Sequence, residues 1–210
     1  MMASIKERER NLFNDWRKNV EKFVEDGVVD EPRFLQEPYR LVFVLKEANQ
    51  MGKTSLTDFL SNGAPGNGGH TWNPVCRWLT GEKTRTFSPD ERKDILRRIA
   101  LMNLKKEDGG RVTDMRKLAE TVKRDRDFIK SQMEIYIQHA PVVFICCGPG
   151  LFSMIREEVY KNAIIQREAA LTFMKPYVDR EVYFVAFNHP NARKGGLVTK
   201  FESIRALIKG

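Results

Sequence analysis

Polar side chains that could carry chemistry lie at the ends of apolar segments in this chain. Glu47 comes just after one such segment, Asn103 ends another, and His189 follows the last. A carboxylate can act as a general base, and a carboxamide donates and accepts hydrogen bonds at the same time. Glu47 could instead simply form an ion pair with Lys46 or Lys106. The pattern therefore indicates either a catalytic rim or a set of ordinary polar turns.

The elements that would position these residues follow from the hydrophobic pattern. Continuous apolar runs predict buried strands at 41–46, 99–104, 142–147 and 182–187. Helical patterns lie between them, which predicts a three-layer α/β/α fold around a central four-stranded parallel sheet. Ligands bind beyond the carboxyl ends of such strands, so the polar residues would meet at one rim.

Helices and loops complete this expected arrangement. A capping pattern at Ser4 and Glu7 predicts a first helix whose apolar stripe reaches Phe23. Residues 47–71 are predicted to be a long loop with about one helical turn. The other predicted helices cover 72–79, a segment that begins at Ser88, one long basic helix from Met115 to Ile137, and 199–208. Residues 1–210 are expected to form a single domain, with 1–38 as an N-terminal helix and lead-in packed on it.

Composition limits the class of protein. The chain has 210 residues with 36 Lys+Arg and 28 Asp+Glu, a net charge of +8, which favours a polyanionic partner such as nucleic acid. No apolar run approaches the roughly 20 residues of a membrane span, and the charged N-terminus does not resemble a signal peptide. Cys76, Cys146 and Cys147 suit neither a disulfide framework nor a metal centre. We expect an intracellular (cytoplasmic, nucleoid or nuclear) monomer without membrane contact, metal or cofactor.

Gly52-Lys53-Thr54 raises the alternative of a nucleotide-binding loop. Such a loop has the pattern G-x-x-x-x-G-K-[ST], in which main-chain N–H groups surround a phosphate. Here Glu47 occupies the position of the first glycine, where its charge would repel phosphate. The segment could instead be a polar loop, or it could contact the phosphate of a nucleic acid.

Four short motifs follow the predicted strands in order. They are Lys46-Glu47-Ala48-Asn49-Gln50, Asn103-Leu104-Lys105-Lys106, Gly148 after an apolar run, and His189-Pro190-Asn191. Their order and spacing over residues 39–205 resemble the uracil-DNA glycosylase superfamily. Lys46 and Asn49 replace a Gly and a Pro of that superfamily's first motif. The chain also lacks the four cysteines with which related members hold an iron–sulfur cluster.

The resemblance implies a monofunctional DNA glycosylase that hydrolyses the N-glycosidic bond of a damaged or deaminated base, with uracil first among the candidates. Asn103 would then recognise the edge of the base, and His189 would donate to the base oxygen on which negative charge develops. The attacking water would be activated by Glu47 as a general base or held by Asn49. A member of the same fold that binds nucleic acid without turnover is the alternative.

Further site residues are implied by the same resemblance. Trp72 would offer an aromatic face to a base taken out of the helix, and Ala48 and Gln50 would line the base site. Phe59 and Trp78 are expected to be core residues. Contacts with the DNA backbone need cations and N–H groups, which indicates these residues: Lys53, Thr54, Asn191, Arg193 and Lys194.

Overall fold

Seven β-strands form one mixed sheet through the described part of the chain. The computed structural model describes residues 3–49, 55–109, 112–161, 163–168, 171–192 and 195–209, without the side chains of Asn49, Asp108 and Lys209. The strands are β1 (Gly27–Val28), β2 (Arg40–Asn49), β3 (Ile99–Gly109), β4 (Val142–Cys147), β5 (Ile165–Glu168), β6 (Leu171–Met174) and β7 (Val182–Phe187). Their order across the sheet is β1-β3-β2-β4-β7-β6-β5.

The expected sheet of four parallel strands is the centre of a larger mixed sheet. The four predicted strands are β2, β3, β4 and β7, which pair in parallel. β1 adds to one edge, and β6 and β5 add to the other, all antiparallel, so the expectation of four strands in a wholly parallel sheet is wrong. β1 and β5 have no pattern to detect, because β1 has two residues and all four side chains of β5 are exposed, whereas β6 is a largely apolar run of only four residues.

Helices cover both faces of the sheet. They are α1 (Ile5–Trp16), α2 (Glu31–Gln36), α3 (Leu56–Ser61), α4 (Gly69–Thr80), α5 (Pro89–Leu96), α6 (Met115–Arg124), α7 (Arg126–Ile137), α8 (Leu151–Met154) and α9 (Leu197–Lys209). α1, α2, α6, α7 and α8 pack on one face, and α3, α4, α5 and α9 pack on the other. Alternate residues of the central strands supply the two cores, so the α/β class is confirmed. Within the described ranges, no helix is long and apolar enough to cross a membrane.

Two predicted helices have different bounds. α1 ends at Trp16 and is followed by a 3-10 turn, so Phe23 lies beyond the helix although it packs against the same core. The predicted long basic helix is two helices, α6 and α7, which meet at Asp125. Asp125 has φ −99° and ψ 12°, outside the helical range, and its carboxylate accepts from Arg124 Nε at 2.7 Å.

The predicted loop over 47–71 is largely ordered structure. β2 continues to Asn49, α3 occupies Leu56–Ser61, and a 3-10 turn leads into α4. Ser55 caps α3 by accepting from the Asp58 N–H at 3.0 Å. Buried Arg92 stabilises the turn after α3, because its guanidinium donates to the carbonyls of Gly63 and Ala64 at 2.9 and 3.1 Å. The hydrophobic pattern did not predict these elements, because the helices are short and the segment is rich in glycine.

Candidate functional site

A cavity of about 550 Å³ opens at the carboxyl ends of β2 and β3, on the face covered by α3 and α4. Parallel strands end at the same edge, so residues distant in sequence meet there. The predicted site residues that line it are Glu47, Ala48, Trp72, Asn103, His189 and Asn191. The sequence-based expectation of a shared rim is therefore met by the geometry for these six residues, whatever their roles.

Asn103 is the most unusual residue of the cavity. It is fully buried, and neither the oxygen nor the nitrogen of its carboxamide has a hydrogen-bond partner among the described residues. A buried polar group without a partner costs about 1–3 kcal/mol. A ligand that offers both an acceptor and a donor would recover this cost, so the carboxamide of Asn103 is able to recognise such a ligand.

His189 presents a hydrogen-bond donor. Its Nδ1 accepts from the main-chain N–H of Asn191 at 3.1 Å, so in the neutral ring the proton lies on Nε2. Burial lowers the pKa of His189 below its ordinary value of 6.5, and the positive charge of Lys46 lowers it further. The imidazole is therefore neutral at physiological pH and can donate from Nε2.

Gly148 lies between Lys46 and His189. A Cβ on Gly148 would lie 3.4 Å from Cε of Lys46 and 3.9 Å from Cβ of His189, which are ordinary van der Waals contacts. The φ of Gly148 is +131°, a conformation that residues with side chains rarely adopt. The backbone conformation therefore explains why a glycine follows β4.

Glu47 is held in an ion pair inside the cavity wall. Its side chain is 4% exposed, and Oε2 accepts from Lys105 Nζ at 3.0 Å, so its partner is neither Lys46 nor Lys106. Gly109 packs directly on the carboxyl group, since a Cβ there would lie 2.5 Å from Cδ of Glu47. A carboxylate fixed in this way can accept a proton from a water molecule in the cavity.

Two aromatic side chains face the cavity. Trp72 is only 4% exposed, and Phe59 is half-buried and lines the cavity while also packing on the core. Phe59 thus packs on the core, as expected, and also contributes to the cavity wall. Gly68 makes room for its ring, because a Cβ at Gly68 would lie 2.7 Å from Cζ of Phe59. Trp78 is a core residue, as expected.

Other lining residues had not been singled out from the sequence. Lys46 was considered as a departure from a motif and as a possible partner of Glu47, and it contributes a cation to the wall. Thr71, Val112 and Thr113 also line the cavity. Val112 is 85% exposed and follows β3 in a segment without periodicity, so no sequence signal pointed to it.

Some predicted site residues cannot be placed. Gln50, Lys53, Thr54, Arg193 and Lys194 lie outside the described residues, as does the side chain of Asn49. The nucleotide-loop alternative at Gly52-Lys53-Thr54 lies outside them too.

A second cavity, of about 380 Å³, lies along the loop after β7. Arg77 and Lys83 contribute cations to its wall, and Pro190 and Gly196 also line it. It therefore offers positive charge close to the His189 loop.

The structure also shows how the possible metal ligands are grouped and whether the cysteine thiols can ionise. In the ranges that the structure covers, no three His, Cys, Asp or Glu side chains cluster as a metal site would require. Burial raises the pKa of Cys76 to about 12, and it also raises the pKa values of Cys146 and Cys147. These thiols are therefore protonated at physiological pH and poor nucleophiles.

In comparisons with known proteins, no family model and no curated protein sequence matches this chain. The function is therefore inferred from the cavity and from the residues that line it.

Proposed function

We propose that this chain is a DNA glycosylase that hydrolyses the N-glycosidic bond of a damaged or deaminated base, with uracil as its leading substrate. The carboxamide of Asn103 carries the proposal, because it is fully buried and unpartnered in the cavity that His189 and Glu47 also line. The strand-end motifs that resemble the uracil-DNA glycosylase superfamily support the same conclusion.

Recognition of the base is assigned to Asn103. The imide edge of uracil has carbonyl oxygens next to an N–H group, and one carboxamide can donate to the first and accept from the second. A volume of about 550 Å³ lies in the range of small-molecule sites and accommodates a nucleoside. Phe59 and Trp72 supply apolar surface against which a base taken out of the DNA stack can pack.

The leaving base is stabilised by His189 and Lys46. As the C–N bond breaks, the bonding electron pair leaves with the base, and negative charge develops on its oxygen. A neutral imidazole that donates from Nε2 stabilises this charge, and the nearby ammonium group of Lys46 adds to the effect. The base is released as an anion and is then protonated by solvent.

The water is activated by Glu47. Its carboxylate accepts a proton while the water oxygen bonds to C1′ of the sugar, so the products are an abasic sugar and the free base. The ion pair with Lys105 holds the carboxylate in place at 3.0 Å. The reaction in this form uses no metal or cofactor.

Binding of the DNA backbone is assigned to the second cavity, along the His189 loop. The net charge of +8 favours a polyanion, and Arg77 and Lys83 line the cavity along the His189 loop. Asn191 is exposed at the rim between the two cavities, where it can reach a phosphate.

The test is base excision from labelled oligonucleotides that each carry one uracil, hypoxanthine, xanthine or mismatched thymine. Alkali converts the abasic product to a cut strand, which is counted. We expect product from one of these lesions, and a rate at least 100-fold lower in His189→Ala. His139→Ala is the matched control, because His139 is also half-buried with a lowered pKa but lies far from the cavity.

Absence of product from every lesion, with wild-type protein in excess over DNA, would contradict the proposal. Retained DNA binding in that case would indicate a nucleic-acid-binding protein without turnover.

A further inference from the structure

The pairing between the lead-in segment and β3 is interrupted beside Asn103. The two segments pair through β1 and again through a bridge between Phe23 and Glu107. Between these points the Val24 N–H still donates to the Lys106 carbonyl at 2.7 Å, and residues 25 and 26 then lie opposite residues 102–105, two against four. Such interruptions leave main-chain groups without a ladder partner and often occur next to active sites.

The carboxylate of Asp26 fills the interruption. Its Oδ2 accepts from the main-chain N–H of Asn103 at 2.6 Å, and both of its oxygens accept from Lys106 Nζ, at 2.7 and 2.6 Å. Gln132 donates to Oδ1 at 2.9 Å. The side chains of Asp26 and Lys106 are fully buried, and so is Gln132, so water does not compete for these bonds.

Lys106 is itself held from several directions. It donates to Oε1 of Gln132 at 2.8 Å, and its ammonium group lies 4.9 Å from the ring centre of Trp16 and 5.4 Å from that of Phe13. These rings belong to the core on the α1 and α7 face, whereas the cavity is on the opposite face. Among the described residues, the hydrogen bond that connects this cluster to a cavity residue is the one from the peptide N–H of Asn103 to Asp26.

We propose that Asp26 is a positioning residue for the site, which fixes the peptide of Asn103 and thereby the direction of its carboxamide in the cavity. Asp26 does not contact the ligand and acts through Asn103. The carboxamide has no hydrogen bond of its own, so its main chain and packing alone set its direction. The catalytic part of this inference rests on the proposed base excision.

The size of the effect follows from the geometry of recognition. A reacting or recognising group displaced by about 1 Å can cost about 100-fold in rate. The neighbours of Asp26 offer no free acceptor in the wild-type protein, since Lys106 has only donors and Oε1 of Gln132 already accepts from Lys106 at 2.8 Å. Loss of the acceptor should therefore appear as reduced excision and reduced discrimination between bases.

Two double variants test the role without leaving a buried charge unpaired. Asp26→Asn with Lys106→Met keeps an oxygen that can accept from the Asn103 N–H, whereas Asp26→Leu with Lys106→Met has no oxygen at position 26. We expect uracil excision close to the wild-type kcat/KM in the first and about 100-fold lower in the second, with a smaller preference for uracil over thymine. Equal kcat/KM and equal preference in the two folded double variants would overturn the inference.

Glu9→Gln is the matched control in the same polar cluster. Glu9 is 4% exposed and accepts from the Val28 N–H and from Tyr136, but it has no contact with Asn103. We expect it to leave kcat/KM and base preference unchanged when measured where it is fully folded. A change as large as that of the Asp26→Leu double variant would show that the cluster acts through general packing.

A measurement on the wild-type protein does not depend on turnover or on the folding of any variant. A through-hydrogen-bond NMR coupling between the amide nitrogen of Asn103 and the carboxyl carbon of Asp26 should be detected, and its absence would overturn the inference. If the coupling is present and no base is excised, the proposed function fails but the positioning role of Asp26 can still be tested. The test is the NMR signals of the Asn103 side-chain amide, which should match the wild type in the Asp26→Asn double variant and shift in the Asp26→Leu double variant. Identical signals in the two double variants would overturn the positioning role.

Discussion

The Cε atom of Lys46 and the Cβ atom of His189 both lie within 4 Å of the point where a side chain on Gly148 would begin. A cation thus lies beside a buried imidazole, and both line the cavity at the ends of the central strands. Positive charge next to a neutral histidine keeps the ring from being protonated and attracts a negatively charged leaving group. The arrangement suits the departure of an anionic base.

Removal of the Lys46 charge should raise the pKa of His189. In Lys46→Met the electrostatic contribution disappears, but burial, the larger cause, continues to hold the pKa below its ordinary 6.5. An NMR titration of the His189 ring measures the change in pKa. Lys123→Met is the control, because it removes the same positive charge from an exposed position on α6. A pKa that stays constant or falls in Lys46→Met would contradict the described proximity.

A methyl group at Gly109 should disturb Glu47. The new Cβ would lie 2.5 Å from Cδ of Glu47, so the carboxylate must move away from its place in the wall. We expect Gly109→Ala to lower kcat by about 10- to 100-fold with little change in DNA affinity, because a displaced general base affects the chemical step. Gly195→Ala, where a Cβ meets open space, is the matched control. Equal kcat in the two variants would argue against a role for Glu47.

Stability should decrease as the pH rises, because of Glu9. Burial and the nearby charge of Asp26 raise the pKa of Glu9 from 4.5 to about 8, although hydrogen bonds from Tyr136 and Val28 oppose the shift. The folded state therefore keeps a proton that the unfolded state releases above pH 4.5. The contribution is fully present below pH 4.5 and is lost as the pH approaches 8, by about 3–5 kcal/mol.

Urea unfolding of wild type and Glu9→Gln between pH 4.5 and 9 measures this dependence. The variant cannot ionise, so it should gain stability relative to wild type as the pH rises. Glu21→Gln, at an exposed position, should follow the wild type throughout. Parallel curves for wild type and Glu9→Gln would contradict the raised pKa.

The buried pair of Asp26 and Lys106 should show strong coupling in stability. Lys106→Met alone leaves an unpaired carboxylate in the core and should cost about 3–5 kcal/mol in the free energy of unfolding. The double variant with Asp26→Asn should recover most of that loss, since no unpaired charge remains. A double-mutant cycle from urea unfolding gives the coupling energy, and additive losses would show that the two side chains do not interact.

The central strands could be predicted because their residues are buried on both faces and form continuous apolar runs. β1 and β5 could not be predicted. β1 has only two residues, too few for a hydrophobic pattern, and the side chains of β5 are all exposed. The break between α6 and α7 was missed for a different reason. The apolar stripe resumes at Ile129, seven residues after Val122, so it keeps helical spacing across Asp125 and the backbone conformation reveals the turn.

The residues of the site that lie at the ends of apolar runs could be predicted from the sequence. The residues that reach the site through tertiary contacts could not. Glu47 and Asn103 lie where the apolar runs of β2 and β3 end, His189 follows β7, and the parallel strands bring the three together. Asp26 lies in a lead-in segment without periodicity, and it meets Asn103 across 77 residues of sequence. Val112 reaches the cavity from a loop, where residue type alone indicates nothing about position.

The most direct test of the proposed function is the release of free uracil from DNA that contains a single uracil, measured by chromatography under single-turnover conditions. We predict that the wild-type protein releases one uracil per site and that Asn103→Ala releases it at least 100-fold more slowly while it still binds the DNA. No free base from the wild type, even with protein in excess, would contradict the account.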